Sequence, residues 1–368
     1  MNKGELLNSR YELINTLPNG GMGEVWIGKD TKLEREVVIK LIHSDLISAN
    51  PELINIFIDE AKIGASLLGH PNVVTVLDFG TLDIPNVGEQ NFIVMEYIKG
   101  INVHSFITNI KPKIDSKTYY YISLLIAWET IKAIYYAHKK GILHRDIKPL
   151  NIFISNYGVT KVGDFGLARF IDAVTRTHTV NAYQSPAYAA PEQWREEKYT
   201  RDTDAYQLGC TLYHIFSGKP VFEGGMYALF NAHLYNDPLD IKSLCSEMSD
   251  ELSSLIMKLL SKDISNRASL WEVNDAIAKE LQKKFVFTMD IDPTDLDTIE
   301  IIYDITDFGK DGLISNEGIE WVFPDFSEIL SEGIQLVLND ILNFEIRILD
   351  ENNQDEEVVE DEKTIATT

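Results

Sequence analysis

Several side chains that can bind a cation, move a proton or hold an anion occur close together in the chain. Asp146, Lys148, Asn151 and Asp164 stand among the apolar runs ILHRD, NIFI and KVGDFG. Polar groups packed so closely between apolar residues are costly to bury unless they have partners or a task. Carboxylate and amide oxygens suit hard cations, and a carboxylate can accept a proton. The pattern therefore favours a functional site over a purely structural role.

A glycine-rich segment, NGGMGEVWIG, follows one predicted strand and precedes another. Gly20, Gly21 and Gly23 have no Cβ, so a turn built from them can lay its backbone N–H groups over phosphate oxygens. Alone this signal is weak. It gains weight because the next predicted strand, VVIK, ends on the basic side chain of Lys40.

Three further motifs follow these two in order: HRDIKPLN from His144, DFG from Asp164 and APE from Ala190. The ordered set resembles the protein-kinase signature, and the resemblance covers about residues 10–284. Within that family, the run KPLN with Lys148 and the run SPAYAAPE are similar to the eukaryotic-like serine/threonine kinases of bacteria. The chain is thus identified from its motifs as a suspected member of that branch.

The resemblance implies an enzyme that transfers phosphate from ATP to serine or threonine hydroxyls of proteins, with Mg²⁺ as the cation and Mn²⁺ as the alternative. Such transfer is catalysed mainly by positioning and by stabilising the dense negative charge of the phosphates. The implied catalytic residues are Lys40 on the α/β-phosphates, Glu60 as its partner, Asp146 on the substrate hydroxyl and Lys148 on the γ-phosphate, with Asn151 and Asp164 as metal ligands.

The same resemblance implies which residues line the nucleotide pocket. Met95 guards its back, and the hinge strand from Glu96 to Ile98 meets adenine. Two positions depart from the family pattern: Pro18 replaces a glycine and lacks an N–H donor, and Val38 adds bulk to the adenine roof. We expect these changes to affect ATP affinity and to leave every catalytic group in place. The full predicted lining is Gly20, Gly21, Gly23, Val25, Val38, Lys40, Met95, Glu96, Ile98 and Phe153.

The segment between Gly166 and Pro191 contains several hydroxyls and few acids. Arg145 precedes the catalytic aspartate, and in kinases with this arginine a phosphorylated loop often supplies its partner. The candidate phosphorylation sites are Thr175, Thr177 and Thr179. The resemblance further implies that Ser185 contacts Asp146 and Lys148 beside the substrate, that Arg267 pairs with Glu192, and that Asp204 and Gly209 anchor the central helix of the larger lobe.

The elements that must position these residues change character along the chain. Short β-branched runs dominate residues 10–97, interrupted by one helical segment, PELINIFIDEAKIGASLL, in which Asp59 is the alternative to Glu60. Long helices follow Gly100. We therefore predict an α+β, bilobal protein-kinase fold with a small β-rich N-lobe at about 10–97 and a large helical C-lobe at about 101–284, after an N-terminal leader at 1–9.

Charge is unevenly distributed over the 368 residues. Residues 285–368 hold 23 acidic against 3 basic side chains, which gives that part −20 of the total −24. We predict an acidic, mainly helical C-terminal extension at 285–349 and a disordered acidic tail at 350–368. Such charge repels nucleic acid and anionic membranes, so neither is an expected partner. The run DFGKDGLISNEG at 307–318 partly resembles an EF-hand loop, but Gly309 and Gly318 stand where oxygen donors belong.

Composition limits the remaining possibilities. The chain has 45% hydrophobic residues, no apolar run long enough to cross a bilayer and no apolar signal-peptide core, so we expect a cytoplasmic protein. Cys210 and Cys245 are the only cysteines, and we expect two buried thiols. Two rivals to an active kinase stay open: a pseudokinase scaffold that acts through the acidic region, and a small-molecule kinase. The expected partners are protein substrates and a second copy of the chain for trans-autophosphorylation. The sequence names neither the substrate nor the oligomeric state.

Overall fold

The computed structural model describes residues 1–17, 23–42, 52–84, 88–155, 158–165 and 185–288. Its N-terminal lobe is built on an antiparallel sheet with the strand order β1-β2-β3-β4-β6-β5. Burial increases along β4, from the exposed Arg35 and Glu36 to four consecutive buried residues at Ile39–Ile42, so the end of this strand is covered on both faces. The strands are β1 Leu6–Leu7, β2 Tyr11–Leu17, β3 Gly23–Asp30, β4 Arg35–Ile42, β5 Val76–Ile84 and β6 Gly88–Glu96.

One helix, α1 Glu52–Ser66, packs against this sheet. Leu53, Phe57 and Ala61 recur every four residues and form its buried stripe. They contact Ile42 and Ile93 of the sheet in one apolar cluster. The position of α1 is therefore fixed by packing along a whole face.

A three-stranded antiparallel sheet, ordered β7-β8-β9, lies at the start of the larger lobe: β7 Gly100–Asn102, β8 Ile152–Ser155 and β9 Thr160–Val162. Asn151 immediately precedes β8, and Asp164 follows β9 by two residues. The β8–β9 hairpin therefore brings these two distant positions together. The Gly163 N–H donates to the Asn151 carbonyl over 2.9 Å.

The rest of the larger lobe is helical, with one extensive apolar core. Its longest helix, α3, begins after Asp115, whose carboxylate accepts the Thr118 N–H as an N-cap. Helix α5 is capped by Thr200 and ends at Gly218, which has a φ of +79°. The helices are α2 Val103–Ser105, α3 Ser116–Lys139, α4 Pro191–Trp194, α5 Arg201–Ser217, α6 Met226–Tyr235, α7 Asp250–Leu259 and α8 Leu270–Thr288.

Helix α5 is the centre of this lobe, because all its residues from Thr203 to Ser217 are buried. A helix that is buried on every side can hold neighbouring segments through its few polar groups. Cys210 of α5 and Cys245 are both free and buried, as expected from the sequence. Burial raises the pKa of Cys210 to about 12, so this thiol is unreactive at neutral pH.

The predicted bilobal α+β fold is confirmed over the described residues. Helix α8 continues to Thr288, four residues beyond the composition break at 284. The rest of the predicted acidic extension, from residue 289 to 349 and including the loop at 307–318, and the predicted tail at 350–368 lie outside the described residues. Within the part of the chain that the structure describes, no helix combines the length and the apolarity that crossing a bilayer requires.

Candidate active site

The basic side chain of Lys40 faces helix α1. Its Nζ lies 2.8 Å from the Glu60 Oε1 and 3.4 Å from the Asp164 Oδ1. Burial alone would lower the pKa of Lys40, but the charges of the two carboxylates outweigh burial and raise it. Lys40 therefore stays an ammonium in a largely buried position.

Glu60 and Asp59, the two candidate partners for Lys40, lie on different faces of α1. Glu60 is 6% exposed and points towards the sheet, whereas the Asp59 carboxylate is 48% exposed and pairs with Lys62 on the surface. The structure thus brings Glu60, not Asp59, to Lys40.

Asp164 lies where the chain leaves β9. Its φ is +59°, a left-handed conformation that is uncommon for a residue with a side chain and that tends to mark functional positions. The following Phe165 is buried against the His144 ring, with ring centroids 4.6 Å apart. These neighbours hold Asp164 with its carboxylate directed towards Lys40.

The loop that carries Asp146 is hydrogen-bonded to helix α5. The buried Asp204 carboxylate accepts hydrogen bonds from the N–H groups of His144 at 2.9 Å and Arg145 at 2.7 Å, and it lies 2.7 Å from the His138 Nε2. Arg145 has a φ of +71°. The two hydrogen bonds from the loop to this buried carboxylate hold the loop in its strained conformation, and His138 of α3 contacts the same carboxylate.

Two more polar residues of α5 fix the same loop. Gln207 accepts the Ile147 N–H and donates to the Arg145 carbonyl, and the Thr211 hydroxyl donates to the Ile147 carbonyl over 3.1 Å. The sequence analysis missed both residues. Their spacing from Asp204, three and seven residues, places all three on one face of a helix, and that periodicity was the available signal.

The His144 ring connects the loop to the segment before Asp164. Its Nε2 lies 2.9 Å from the Gly163 carbonyl oxygen, and its Nδ1 accepts the Asp146 N–H at 3.3 Å. Burial lowers the pKa of His144, so the ring is neutral with its proton on Nε2. The neutral ring thus ties Asp146 to the strand end that carries Asp164.

Asp146 lies at the centre of a short hydrogen-bonded chain. Its Oδ2 is 2.6 Å from the Lys148 Nζ and 3.1 Å from the Asn151 Nδ2, and the Lys148 Nζ also contacts the Ser185 Oγ at 2.7 Å. The sequence predicted that Ser185 contacts both Asp146 and Lys148. In the structure, the Lys148 ammonium donates hydrogen bonds to the Ser185 hydroxyl and to the Asp146 carboxylate, so Ser185 is linked to Asp146 through Lys148.

A divalent cation fits the oxygen atoms offered here. Asn151 uses its Nδ2 to donate to the Asp146 carbonyl and carboxylate, so its amide oxygen is the atom suited to a metal. Asp164 adds a partly exposed carboxylate. Two hard oxygen donors on neighbouring segments suit Mg²⁺, which is usually held by one or two carboxylates together with substrate phosphates. The described residues contain no cluster of three or more His, Cys, Asp or Glu side chains that would form a protein-only site.

Among the residues predicted to line the nucleotide pocket, the apolar side chains of Val25, Val38 and Met95 are half-buried. Val25 pairs in register with Lys40, and Val38 pairs with Met95, so Val25, Val38 and Lys40 share one face of the sheet. Behind Met95 lies a cavity of about 20 Å³ that also touches Glu60, Asp164 and Phe165. Ile98 and Phe153 are likewise half-buried, and Phe153 packs beside Gly163.

The Glu96 side chain is engaged by two groups outside the predicted nucleotide pocket. Its carboxylate accepts the Thr75 N–H at 2.7 Å and lies 2.8 Å from the Lys161 Nζ of β9. This ion pair links the end of β6 to the larger lobe. Only the backbone of Glu96 is therefore suited to meeting an adenine.

Several predicted residues lie outside the described ranges: Gly20, Gly21 and Pro18 of the glycine-rich turn, and Thr175, Thr177 and Thr179 of the segment after Asp164. Gly23 begins β3, where an added Cβ would lie 1.8 Å from the Leu41 carbonyl oxygen. Only glycine therefore fits at that end of the turn.

The expected structural pair is present. Two nitrogens of Arg267 contact the two carboxylate oxygens of Glu192 at 2.7 and 2.8 Å, both side chains almost fully buried. Burial would raise the pKa of Glu192, but the hydrogen bonds and charge of Arg267 outweigh it and lower the pKa. The bidentate pair fixes α4, and with it the segment that contains Ser185.

Comparison with known families gives a direct answer on membership. The protein kinase domain family matches residues 11–285, about three quarters of the chain. The chain belongs to the protein kinase family. Members of this family use ATP and a divalent cation, and their substrates are proteins.

The chain is similar to serine/threonine-protein kinases of bacteria. The chain is 35% identical over 266 residues to the serine/threonine-protein kinase PknB of Mycolicibacterium smegmatis, covering 71% of this chain and 41% of that protein. It is 34% identical to the serine/threonine-protein kinase PrkC of Bacillus subtilis, covering 75% of this chain and 41% of that protein. The predicted kinship with eukaryotic-like bacterial serine/threonine kinases is confirmed. The matching region spans about two fifths of the length of these relatives.

Solved structures support the fold. The kinase domain of Mycobacterium tuberculosis PknI aligns with a TM-score of 0.57 at 22% identity, covering 76% of this chain and 99% of that chain. At this identity the likeness concerns the fold alone. It agrees with the two-lobed arrangement described above.

Proposed function

We propose that this protein kinase transfers the γ-phosphoryl group of ATP to serine and threonine hydroxyls of protein substrates. The observation that carries the proposal is a set of contacts within one site. Lys40 contacts Asp164, and Asn151 donates to Asp146. Lys148 in turn contacts both Asp146 and Ser185. The printed names of the bacterial relatives, which are serine/threonine-protein kinases, support the same substrate class.

Each side chain then has a physical task. Lys40, held by Glu60, binds phosphate oxygens, and Lys148 stabilises the negative charge of the phosphoryl group during transfer. Asp146 orients the acceptor hydroxyl and takes its proton. Asn151 and Asp164 would hold a divalent cation, with Mg²⁺ proposed and Mn²⁺ as the alternative, which neutralises phosphate charge when bound.

The described residues favour an active enzyme over the scaffold alternative. All the groups named above are present, and Lys40, Glu60 and Asp164 are in contact. A small-molecule kinase fits less well, because Ser185 and the α4 segment beside it belong to a surface that suits a peptide.

The proposal is tested with the purified full-length chain and γ-labelled ATP in Mg²⁺ or Mn²⁺. We expect label on a general protein substrate and on the chain itself, and phosphoamino-acid analysis should find phosphoserine and phosphothreonine. Asp146→Asn prepared in parallel controls for contaminating kinases. Label that is absent with both cations, or equal in the variant, would contradict the proposal.

We further propose that a second copy of the chain phosphorylates the segment after Asp164. Arg145 lies beside Asp146, and its guanidinium carbon is 5.3 Å from the centre of the Tyr199 ring. A phosphothreonine brought to Arg145 would add a charge-assisted contact that orders the segment. The candidates are Thr175, Thr177 and Thr179.

The triple change of Thr175, Thr177 and Thr179 to alanine should lower kcat/KM for a protein substrate by about 10- to 150-fold, because such a charge-assisted contact contributes about 1.5–3 kcal/mol. Activity is measured before and after preincubation with ATP. The wild type should show a lag that shortens as protein concentration rises, which is the sign of reaction between copies. A triple variant with full activity and no lag would refute the proposal.

A further inference from the structure

Two buried glutamines from different helices are hydrogen-bonded to each other in the larger lobe. Gln193 belongs to α4 and Gln207 belongs to α5. The Gln207 Nε2 donates to the Gln193 Oε1 over 2.8 Å, and the two residues are only 3% and 9% exposed. We call this pair the amide bridge. Buried amides need a partner for each remaining hydrogen and lone pair, so the other contacts of the pair show what it joins.

The Gln207 end of the amide bridge is attached to the loop that carries Asp146. The second hydrogen of its Nε2 is donated to the Arg145 carbonyl over 2.8 Å, and its Oε1 accepts the Ile147 N–H over 3.0 Å. Both hydrogens and the oxygen of this amide are therefore in use. Because Arg145 and Ile147 flank Asp146 in the chain, Gln207 holds the backbone on both sides of that residue.

The Gln193 end is attached to residues 185–190, which we call the Ser185 segment. The Gln193 Oε1 accepts the Ala190 N–H over 2.8 Å in addition to the hydrogen from Gln207. Ala190 is the N-cap of α4, and a glutamine at the third position of a helix commonly bonds back to the N-cap N–H. Capping explains only one of the two hydrogen bonds. The other one joins the Ser185 segment to α5.

Three backbone groups determine the orientation of both amides. The Ala190 N–H requires the oxygen of Gln193 on its side, so Gln207 must present its hydrogens to that oxygen. The Arg145 carbonyl and the Ile147 N–H require the same orientation of Gln207. Turning either amide over would place two donors or two acceptors against each other. Position 193 therefore needs an oxygen that accepts, and position 207 needs a group that donates.

The Ser185 segment and the loop that carries Asp146 also meet at a second point, where the Lys148 Nζ lies 2.7 Å from the Ser185 Oγ. In the proposed reaction the Lys148 ammonium stabilises the phosphoryl group during transfer, so it has a second task. The hydrogen bonds described for the amide bridge go to backbone groups and to Tyr199, and to none of the residues assigned to ATP. The bridge can therefore stay intact throughout the reaction.

We infer that the amide bridge positions the protein substrate, because it fixes the Ser185 segment relative to Asp146 and thereby aligns the substrate hydroxyl with the phosphoryl group. Gln193 and Gln207 are positioning residues, which act through the backbone of their neighbours. A fully satisfied buried network of this kind is rigid, as such alignment requires. This inference rests on the proposed function, because it adds two residues to the same site.

The first test is the variant Gln193→Met, which keeps the length of the side chain and removes its oxygen. The full-length kinase is preincubated with ATP, and ADP and phosphopeptide are then measured together. We expect kcat/KM for the peptide to fall by about 10- to 10²-fold, since a misplacement of about 1 Å can cost about 10²-fold in rate. KM for ATP should stay at the wild-type value. More phosphoryl groups should be transferred to water, so the amount of ADP formed per phosphopeptide should rise.

The same isosteric change at the two ends of the bridge gives a second test. Gln193→Glu keeps an oxygen for Ala190 and Gln207, and the Tyr199 hydroxyl, 3.4 Å from the Gln193 Nε2, can donate to the second oxygen. We expect peptide kinetics close to those of the wild type. Gln207→Glu sets a carboxylate against the oxygens of Gln193 and Arg145, and it should lose at least as much peptide phosphorylation as Gln193→Met. Equal rates for the two glutamate variants would overturn the inference.

Glu197→Met is the matched control, because it introduces the same side chain at an exposed position shortly after α4. It should keep the wild-type kinetics and the wild-type ratio of ADP to phosphopeptide. The melting temperature of each variant is recorded, and all assays are run well below the lowest value. If Gln193→Met does not fold, the comparison of Gln193→Glu with Gln207→Glu decides.

The outcomes separate the two proposals. Full peptide phosphorylation by Gln193→Met, with an unchanged ratio of ADP to phosphopeptide, would overturn this inference and leave the proposed function standing. A loss in which ADP and phosphopeptide fall together would also overturn it, since the whole site would then be damaged. No phosphorylation of any peptide or protein by the wild-type chain would overturn both proposals.

Discussion

The variant Asp146→Asn should lose about 10²–10⁴-fold in kcat, the usual contribution of a positioned general base. The amide keeps the shape of the carboxylate but cannot take a proton. It also loses the charge that holds the Lys148 ammonium at 2.6 Å. Phosphate transfer to a peptide at saturating ATP, followed by single-turnover measurement, checks the effect on the chemical step.

The control for this change is Asp237→Asn, which removes an exposed carboxylate for which no hydrogen bond is described. We expect wild-type turnover from it. The ATP dissociation constant of Asp146→Asn should stay within about threefold of the wild type, because Lys40, the lysine assigned to the phosphates of bound ATP, contacts Glu60 and Asp164 and not Asp146, and Lys148 acts on the phosphoryl group during its transfer. Full turnover in Asp146→Asn would remove Asp146 from the mechanism.

The variant Lys40→Met should reduce kcat/KM by about 10²–10³-fold, because it removes a preorganised cation from the phosphates. A second effect arises in the folded protein. Glu60 is 6% exposed, and its Oε2 already has no hydrogen-bond partner in the described residues. Breaking a buried pair by removing one member costs about 3–5 kcal/mol, so the melting temperature should also fall.

Lys62→Met is the control for Lys40→Met. It removes a lysine of α1 that has no contact with the described residues of the predicted nucleotide site, so it shows whether the losses of activity and stability are specific to Lys40. Lys62 is 71% exposed, and its contact with Asp59 is 3.4 Å long on the surface. Exposed pairs contribute about 0–1 kcal/mol, so we expect normal activity and a melting temperature close to that of the wild type. The double variant Lys40→Met/Glu60→Gln should regain part of the stability but none of the activity. Rescue of activity by the second change would contradict the assignment of Lys40.

The sequence was sufficient for the parts of the molecule that depend on short-range order. The glycine-rich turn, the lysine in a strand and the aspartates beside apolar runs each mark a local element, and their order along the chain identified the family and the two-lobed fold. The choice between Glu60 and Asp59 needed coordinates. The sequence favoured Glu60 and kept Asp59 as the alternative because of the number of residues to His70, and the burial of Phe57 and Ala61 shows which of the two faces the sheet.

Polar contacts between elements that are distant in the chain could not be predicted from the sequence. The link from Tyr188 through His214 to His104 joins three separate elements, and the Glu96–Lys161 pair joins two. Nothing in local spacing indicates which side chains meet across a folded core. For the same reason, the sequence suggested a direct contact of Ser185 with Asp146, whereas the ammonium of Lys148 lies between them.

The contacts of the Asp204 carboxylate affect how much of the free energy of ATP binding is needed to order the catalytic loop. The Arg145 N–H donates to Asp204 of α5, and the Gln207 amide of α5 donates to the Arg145 carbonyl. Because α5 is buried in the core of the larger lobe, the loop bearing Asp146 acquires its left-handed backbone at Arg145 during folding. Ligand binding does not have to supply the free energy for that ordering. The whole binding interaction with the phosphates thus remains available for aligning the group to be transferred, and tight ground-state binding is not required for a competent loop.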